Sequence, residues 1–170
     1  MTSDNSKTLR VAFLPATQDD IPSIIKLAQQ IWRAYYPAII GLAQVEYMLA
    51  QRYTEKEITS QMQAGERYYV ALGDNQMVGY ASLRADSDAW FLHQLYVLPS
   101  HFGFGIGTGF LHFLFHEAGY RTIRLQVNRK NIRAINFYFK NGFVIERCID
   151  VDIGNGYYMN DYVMVKKFNQ

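Results

Sequence analysis

The feature that most confines this chain is a run of glycines between a strand and a helix: Phe102-Gly103-Phe104-Gly105-Ile106-Gly107-Thr108-Gly109. Trp90 to Leu98 reads as a strand closed by Pro99. A helix is expected from about Thr108 to Ala118, ended by Gly119, and a further strand from Thr122 to Val127. A strand, a helix and a strand in so short a span form a right-handed crossover, which makes the two strands parallel. Glycines in the connecting turn let backbone N–H groups converge on a guest, because no Cβ blocks the approach. The helix N-terminus behind them adds partial positive charge, which suits a phosphate. Two common phosphate fingerprints do not fit. Gly107 is followed by Thr108 and not by lysine, and the fifth positions after Gly103 and Gly105 are Thr108 and Phe110, not glycine. What remains is Gly-x-Gly-x-Gly, either a phosphate cradle or a turn that permits tight packing.

The rest of the chain builds around that unit. Its 170 residues suit one domain, expected over residues 9–168 behind a frayed tail, residues 1–8. Leu9 to Leu14 is expected to form a first strand. Thr17 then caps a helix carrying Ile21, Ile24, Ile25, Ala28 and Ile31 at helical spacing, until Tyr35-Tyr36-Pro37 breaks the pattern. A short helix follows around Gln44 to Ala50. Thr54-Glu55-Lys56-Glu57 reads as a capping box for another, running to about Gln63. From Arg67 the period changes to two. Tyr68 to Leu72 and Met77 to Arg84 flank a Gly73-Asp74-Asn75 turn, a hairpin. Asn131 caps a helix ending at Asn141-Gly142, and Phe143 to Val151 and Tyr157 to Phe168 form a last hairpin. The expected class is α/β, with a mixed, mostly antiparallel sheet of about seven strands flanked by helices.

Asn131-Ile132-Arg133-Ala134-Ile135-Asn136-Phe137-Tyr138-Phe139-Lys140-Asn141-Gly142-Phe143 supplies the second signal. With the glycine turn one strand earlier, the chain resembles the GNAT superfamily of acetyl-CoA-dependent N-acyltransferases. In that family a strand leads into a glycine-rich pyrophosphate loop. One strand later come Asn and then Ala-x-x-Phe-Tyr-x-Lys-x-Gly-Phe. The chain departs from the pattern at Phe102, where the family usually has Gln or Arg.

The resemblance implies a set of roles. Acetyl-CoA would lie against Leu95, Val97 and Leu98 of the strand and Phe102, Gly103, Phe104, Gly105, Ile106, Gly107 and Thr108 of the loop. Its pantetheine would pair with the strand end as an added strand. Asn131 would bond the pantetheine, cap the helix, or do both. A backbone N–H near Tyr96 would stabilise the oxyanion, and Tyr138 would protonate the departing thiolate. His93 stands where some polyamine acetyltransferases of the family place a glutamate. Imidazole titrates near 6.5 and an alkyl amine near 10.4, so direct deprotonation is uphill by about 5 kcal/mol and a relay through water suits it better. Trp32, Arg33, Tyr36 and Tyr158 are acceptor-site candidates, with Asp150, Asp152 and Glu46 as attractors for a cationic amine. The implied activity is acetyl transfer to a primary amine of a small molecule, with a polyamine, an amino sugar and an amino acid as the candidate classes. A peptide N-terminal acetyltransferase and a non-catalytic acetyl-CoA sensor stay open, as does a homodimer.

The remaining observations narrow the class. A net charge of +2 with no basic run argues against nucleic acid. No stretch reaches the roughly 20 apolar residues of a membrane span. One cysteine, Cys148, forbids an internal disulfide and fits a cytoplasmic location; its alternating surroundings read as a buried strand position. His112 and His116 are spaced i, i+4, but no third ligand accompanies them, so no metal is expected.

Overall fold

The computed structural model describes residues 9–168. The expected tail, residues 1–8, lies outside the described residues. In chain order the elements are β1 (Val11–Pro15), α1 (Ile21–Tyr35), α2 (Pro37–Ile40), α3 (Leu42–Arg52), α4 (Glu55–Gln63), β2 (Arg67–Gly73) and β3 (Gln76–Ala85). They continue with β4 (Trp90–Val97), α5 (Ile106–Glu117), β5 (Ile123–Asn128), α6 (Ile132–Lys140), β6 (Val144–Gly154) and β7 (Tyr157–Lys166). The seven strands form one sheet in the order β1-β2-β3-β4-β5-β7-β6. Only β4 and β5 are parallel. The mixed α/β sheet is therefore as the sequence leads one to expect.

Local chemistry sets the ends of these elements. Asp74 and Asn75 both take positive φ, 46° and 66°, the geometry a two-residue hairpin turn demands. Thr54 Oγ1 accepts from the Glu57 N–H at 3.2 Å and starts α4. Pro37 does not merely end α1. It occupies the first turn of α2, where its missing N–H costs nothing.

Packing occurs on both sheet faces. On one, α5 buries Ile106, Phe110, Leu111, Leu114 and Phe115 against β3, β4 and β5, and Phe13 of β1 stacks on Phe110 at 4.9 Å. On the other, Ile24, Ala28, Ile31 and Trp32 of α1 pack with Val45, Met48 and Leu49 of α3 over Tyr68, Val70 and Tyr80. Each large side chain so buried contributes about 2 kcal/mol. Strand β6 forms the far edge and leaves Val144, Ile145 and Val151 exposed. Cys148 is exposed there as well, contrary to the buried position expected of it. Alternation implies burial only where a layer covers one face, and this edge strand has little over either.

One irregularity shapes the site. Strands β4 and β5 pair only from Trp90 to Leu92 against Ile123 to Leu125, and then part. Beside the parting, His93 is the extra residue of a β-bulge, since Ser82 faces Gln94 while Leu83 faces Leu92. Gly79 lies opposite Val97, and a Cβ there would stand 2.7 Å from the Tyr96 carbonyl oxygen. The course of β4 thus depends on the absence of a side chain at position 79. Gly79→Ala is expected to lower Tm by several degrees in a thermal melt, the cost of overpacking a backbone contact being about 1–3 kcal/mol.

Candidate active site

Two concavities meet where β4 and β5 part. A cavity of about 480 Å³ opens toward α1, α3 and α4. A groove of about 600 Å³ runs beside the glycine turn and α6. Tyr36, Leu95, Tyr96 and Tyr138 line both, so these four residues surround the passage between them.

The groove gathers most of the residues expected at a cofactor. Leu95, Val97, Phe102, Gly103, Gly105, Ile106, Gly107, Thr108 and Tyr138 line it. Three expected residues do not. Phe104 points to solvent at 65% exposure. Leu98 packs into the core, its N–H bonded to the Val78 carbonyl. Asn131 lines the cavity instead. Gly103 and Gly105 turn the chain with φ of +88° and +75°, and no heavy atom lies within 4 Å of where a Cβ would stand on either. Gly105 precedes α5 without a side-chain cap, so the first N–H groups of that helix stay free for an anion. Phe102 brings no polar group, but the Arg133 guanidinium sits over its ring at 4.1 Å and Arg133 and Lys140 both line the groove. Positive charge thus reaches the groove from α6 rather than from position 102. Arg129, its neighbour in sequence, is bound to Asp150 instead.

The ladder between β3 and β4 decides which N–H groups of β4 are free. Leu98 N–H donates to the Val78 carbonyl at 2.8 Å. Antiparallel pairs alternate, so Tyr96, opposite Tyr80, exchanges its bonds with β3 as well. The N–H groups of Leu95 and Val97 point the other way, into the parting. The free donor expected near Tyr96 therefore belongs to its two neighbours. The Tyr96 ring lies among Tyr80, Trp32 and Tyr36 at 5.2 to 6.0 Å, and burial, offset by Arg52, pushes its hydroxyl up to about 12.

Tyr138 is 8% exposed, between Phe137 and Phe143. Burial first, and Tyr96 second, raise its hydroxyl well above the ordinary tyrosine range, so it stays protonated. Asn131 caps α6, its Oδ1 accepting from the Ala134 N–H at 3.2 Å and from the Tyr35 hydroxyl at 3.0 Å.

The cavity also holds a pair that no local sequence pattern predicts. His93 Nδ1 lies 2.8 Å from Oε1 of Glu66, a buried residue just before β2, with Arg84 at 4.0 Å from the other oxygen. The contact fixes the imidazole ring through Nδ1 and leaves Nε2 as the nitrogen not held by Glu66. Trp32 and Tyr36 line the cavity as expected. Arg33 and Tyr158 do not. Arg33 holds Glu46 in a two-point pair at 2.7 and 2.9 Å on the surface. The Tyr158 side chain is exposed while its carbonyl accepts from Gln44. Asp150 and Asp152 are likewise engaged elsewhere, with Arg129 and with the Gly154 N–H. The carboxylate that does line the cavity from the last hairpin is Asp161, 2% exposed. His112 and His116 are exposed on α5, and no group of three or more His, Cys, Asp or Glu able to hold a metal occurs among the described residues.

Burial raises the Asp161 carboxyl from 3.8 to about 6, against the opposing pull of Arg52 and Arg129. The folded state therefore holds this proton more tightly than the unfolded chain. The stability so gained is complete below about 3.8 and is lost as pH rises through 6. Asp161→Asn is expected to raise Tm by a few degrees at pH 8, with the gain shrinking between pH 6 and 4. A pair of melts at pH 8 and pH 4 checks both the sign and the window.

Comparisons with known proteins agree with this geometry. Residues 64–145, which hold both the glycine turn and the Asn131 block, match the acetyltransferase (GNAT) domain family. The chain is 24% identical over 158 residues to a spermidine N(1)-acetyltransferase of Thermoplasma acidophilum, covering 88% of this chain and 92% of the relative. It is 39% identical over 98 residues to an uncharacterized N-acetyltransferase of Mycobacterium tuberculosis, covering 55% of this chain and 62% of that one. The crystal structure of an N-acetyltransferase from Thermoplasma acidophilum in complex with coenzyme A superimposes with a TM-score of 0.78 at 23% identity, covering 94% of this chain and 99% of the other. Residues 64–145, which carry both motifs, are thus matched to the acetyltransferase (GNAT) domain family, and the whole fold is similar to that of solved N-acetyltransferases.

Proposed function

We propose that this enzyme transfers an acetyl group from acetyl-CoA to a primary amine of a small cationic molecule by direct attack. The observation that carries the reading is the passage ringed by Tyr36, Leu95, Tyr96 and Tyr138, which joins a groove fit for a phosphorylated donor to a separate cavity with acidic groups. Likeness to a spermidine N(1)-acetyltransferase supports a cationic acceptor. The cavity supports it too, since three carboxylates, Glu57, Glu66 and Asp161, line it against two arginines, Arg52 and Arg84. A cytoplasmic site of action belongs to the same reading and suits the exposed free thiol of Cys148.

The donor supplies an activated thioester; the chain's residues bind, orient and move protons. The uncapped first turn of α5 and the free N–H groups of the glycine turn hold pyrophosphate, with Arg133 and Lys140 adding charge. The Leu95 and Val97 N–H groups, unpaired where the strands part, face the charge that develops on the carbonyl oxygen. A preorganised donor of this kind is worth about 3 kcal/mol. His93, fixed by Glu66, takes the amine's proton through Nε2, by way of water. Tyr138, held protonated by burial, gives its proton to the departing sulfur. The amide C–N bond forms as the C–S bond breaks, and the two proton transfers leave neutral products.

Two measurements test this. Calorimetric titration with acetyl-CoA is expected to give saturable binding, and thiol release is expected with short aliphatic amines; absence of binding overturns the assignment. Tyr138→Phe is expected to cut kcat about ten-fold or more while acetyl-CoA affinity stays within about two-fold. Unchanged turnover would remove Tyr138 from the mechanism.

A further inference from the structure

Asp161 plays no part in the chemistry above, yet it is the most deeply buried acidic side chain on the cavity wall. It sits on β7 opposite Asn128 of β5, and both line the cavity. No hydrogen bond or ion pair reaches its carboxylate among the described residues. The two arginines that bias its ionisation are directed elsewhere: Arg52 of α3 toward the Met159 sulfur at 3.4 Å, and Arg129, which follows β5, onto Asp150. Tyr96 of β4 faces it and feels its charge. A buried carboxylate without a partner is expensive, and apolar or amide side chains of similar size would fit the fold at less cost. A cation arriving through the cavity would complete it.

The position fits a role distinct from proton abstraction. His93 already has an orienting partner in Glu66 and stands on β4. Strand β7 lies two strand spacings from β4, about 10 Å across the sheet before the parting widens it. One nitrogen cannot contact both carboxylate ends of the cavity. Two nitrogens joined by an alkyl chain can.

We propose that Asp161 binds a second, non-reacting ammonium group of the acceptor, so that the preferred acceptor is an aliphatic diamine or polyamine rather than a monoamine. The proposal rests on the small-amine reading above and adds the residue that sets acceptor charge. Met159 and Tyr96 line the same cavity and give an alkyl chain an apolar surface to lie on.

The test separates binding from turnover. Diaminobutane and butylamine, matched in carbon count, are titrated calorimetrically into the full chain saturated with coenzyme A, and acetyl transfer to each is followed by thiol release. The wild type is expected to bind the diamine at least about ten-fold more tightly than the monoamine. In Asp161→Asn that advantage is expected to vanish, with butylamine affinity unchanged within about two-fold and Tm not lowered. Diamine affinity of the wild type is also expected to fall as pH drops through the range in which Asp161 takes up a proton. Arg52, Arg129 and Tyr96 act on it, and His93, Glu57 and Glu66 share the cavity, so the fall is read against Asp161→Asn, in which it is expected to be absent. Equal affinity of the wild type for the two amines, or a diamine advantage that survives in Asp161→Asn, overturns the proposal. So does a variant that loses turnover of both amines equally without a change in diamine affinity, since that marks a catalytic base. Diamine binding that depends on Asp161 but yields no thiol release would uphold the ammonium site and sink the acetyl-transfer reading instead.

Discussion

The parting of β4 from β5 after three residue pairs governs this structure. A parallel pair normally satisfies its N–H groups along its whole length, and unpaired buried donors cost about 1–3 kcal/mol each. Here Leu95 and Val97 stand past the last rung with their donors turned toward a strand that has moved away. The neighbourhood holds this arrangement in place. The bulge at His93 re-aims the strand, Gly79 lets β3 come close to the Tyr96 carbonyl, and Tyr138 fills the gap from α6. A ligand that pairs with the free donors removes the penalty, so the fold stores affinity where the two strands part.

Electrostatics divide along the same line. On the surface, Arg33 with Glu46 and Arg124 with Asp88 and Glu146 make well-formed pairs, and such exposed pairs add little to stability. In the cavity the geometry is costlier and more specific. Glu66 is buried and engaged with His93, while the carboxylate of Asp161 is buried with no hydrogen-bond or ion-pair partner among the described residues. Groups that reduce stability and point into a cavity are where function is expected to have been retained at the fold's expense.

Local chemistry made much of this legible from residues alone. The Asp74-Asn75 turn, the Thr54 and Asn131 caps and the strand–glycine–helix unit are short-range rules, and each holds in the structure. Pro37 was ambiguous because proline ends one helix and begins another with equal ease. The cavity's charges were harder. Glu66 and His93 are 27 positions apart and meet only through the register of β2, β3 and β4. Asp150 and Asp152 stand out in the sequence as attractors for an amine, whereas Asp161, in the same hairpin, does not. Which of them turns inward depends on the neighbour across the ladder, and Asn128 of β5 gives Asp161 that position. Arg33 looked like a binding group until Glu46 of the next long helix claimed it.

The two concavities also differ in where their walls come from. The groove is built mainly from β4, the glycine turn and α6, all inside residues 64–145, the stretch that matches the domain family. Much of the cavity wall comes from outside it: Trp32, Tyr36, Met48 and Arg52 from the helices before, and Met159 and Asp161 from the hairpin after. A stretch that matches a domain family therefore stands between two segments which that match does not cover. Substitutions in those flanking segments can reshape much of the cavity wall while the glycine turn and α6 of the groove stay as they are.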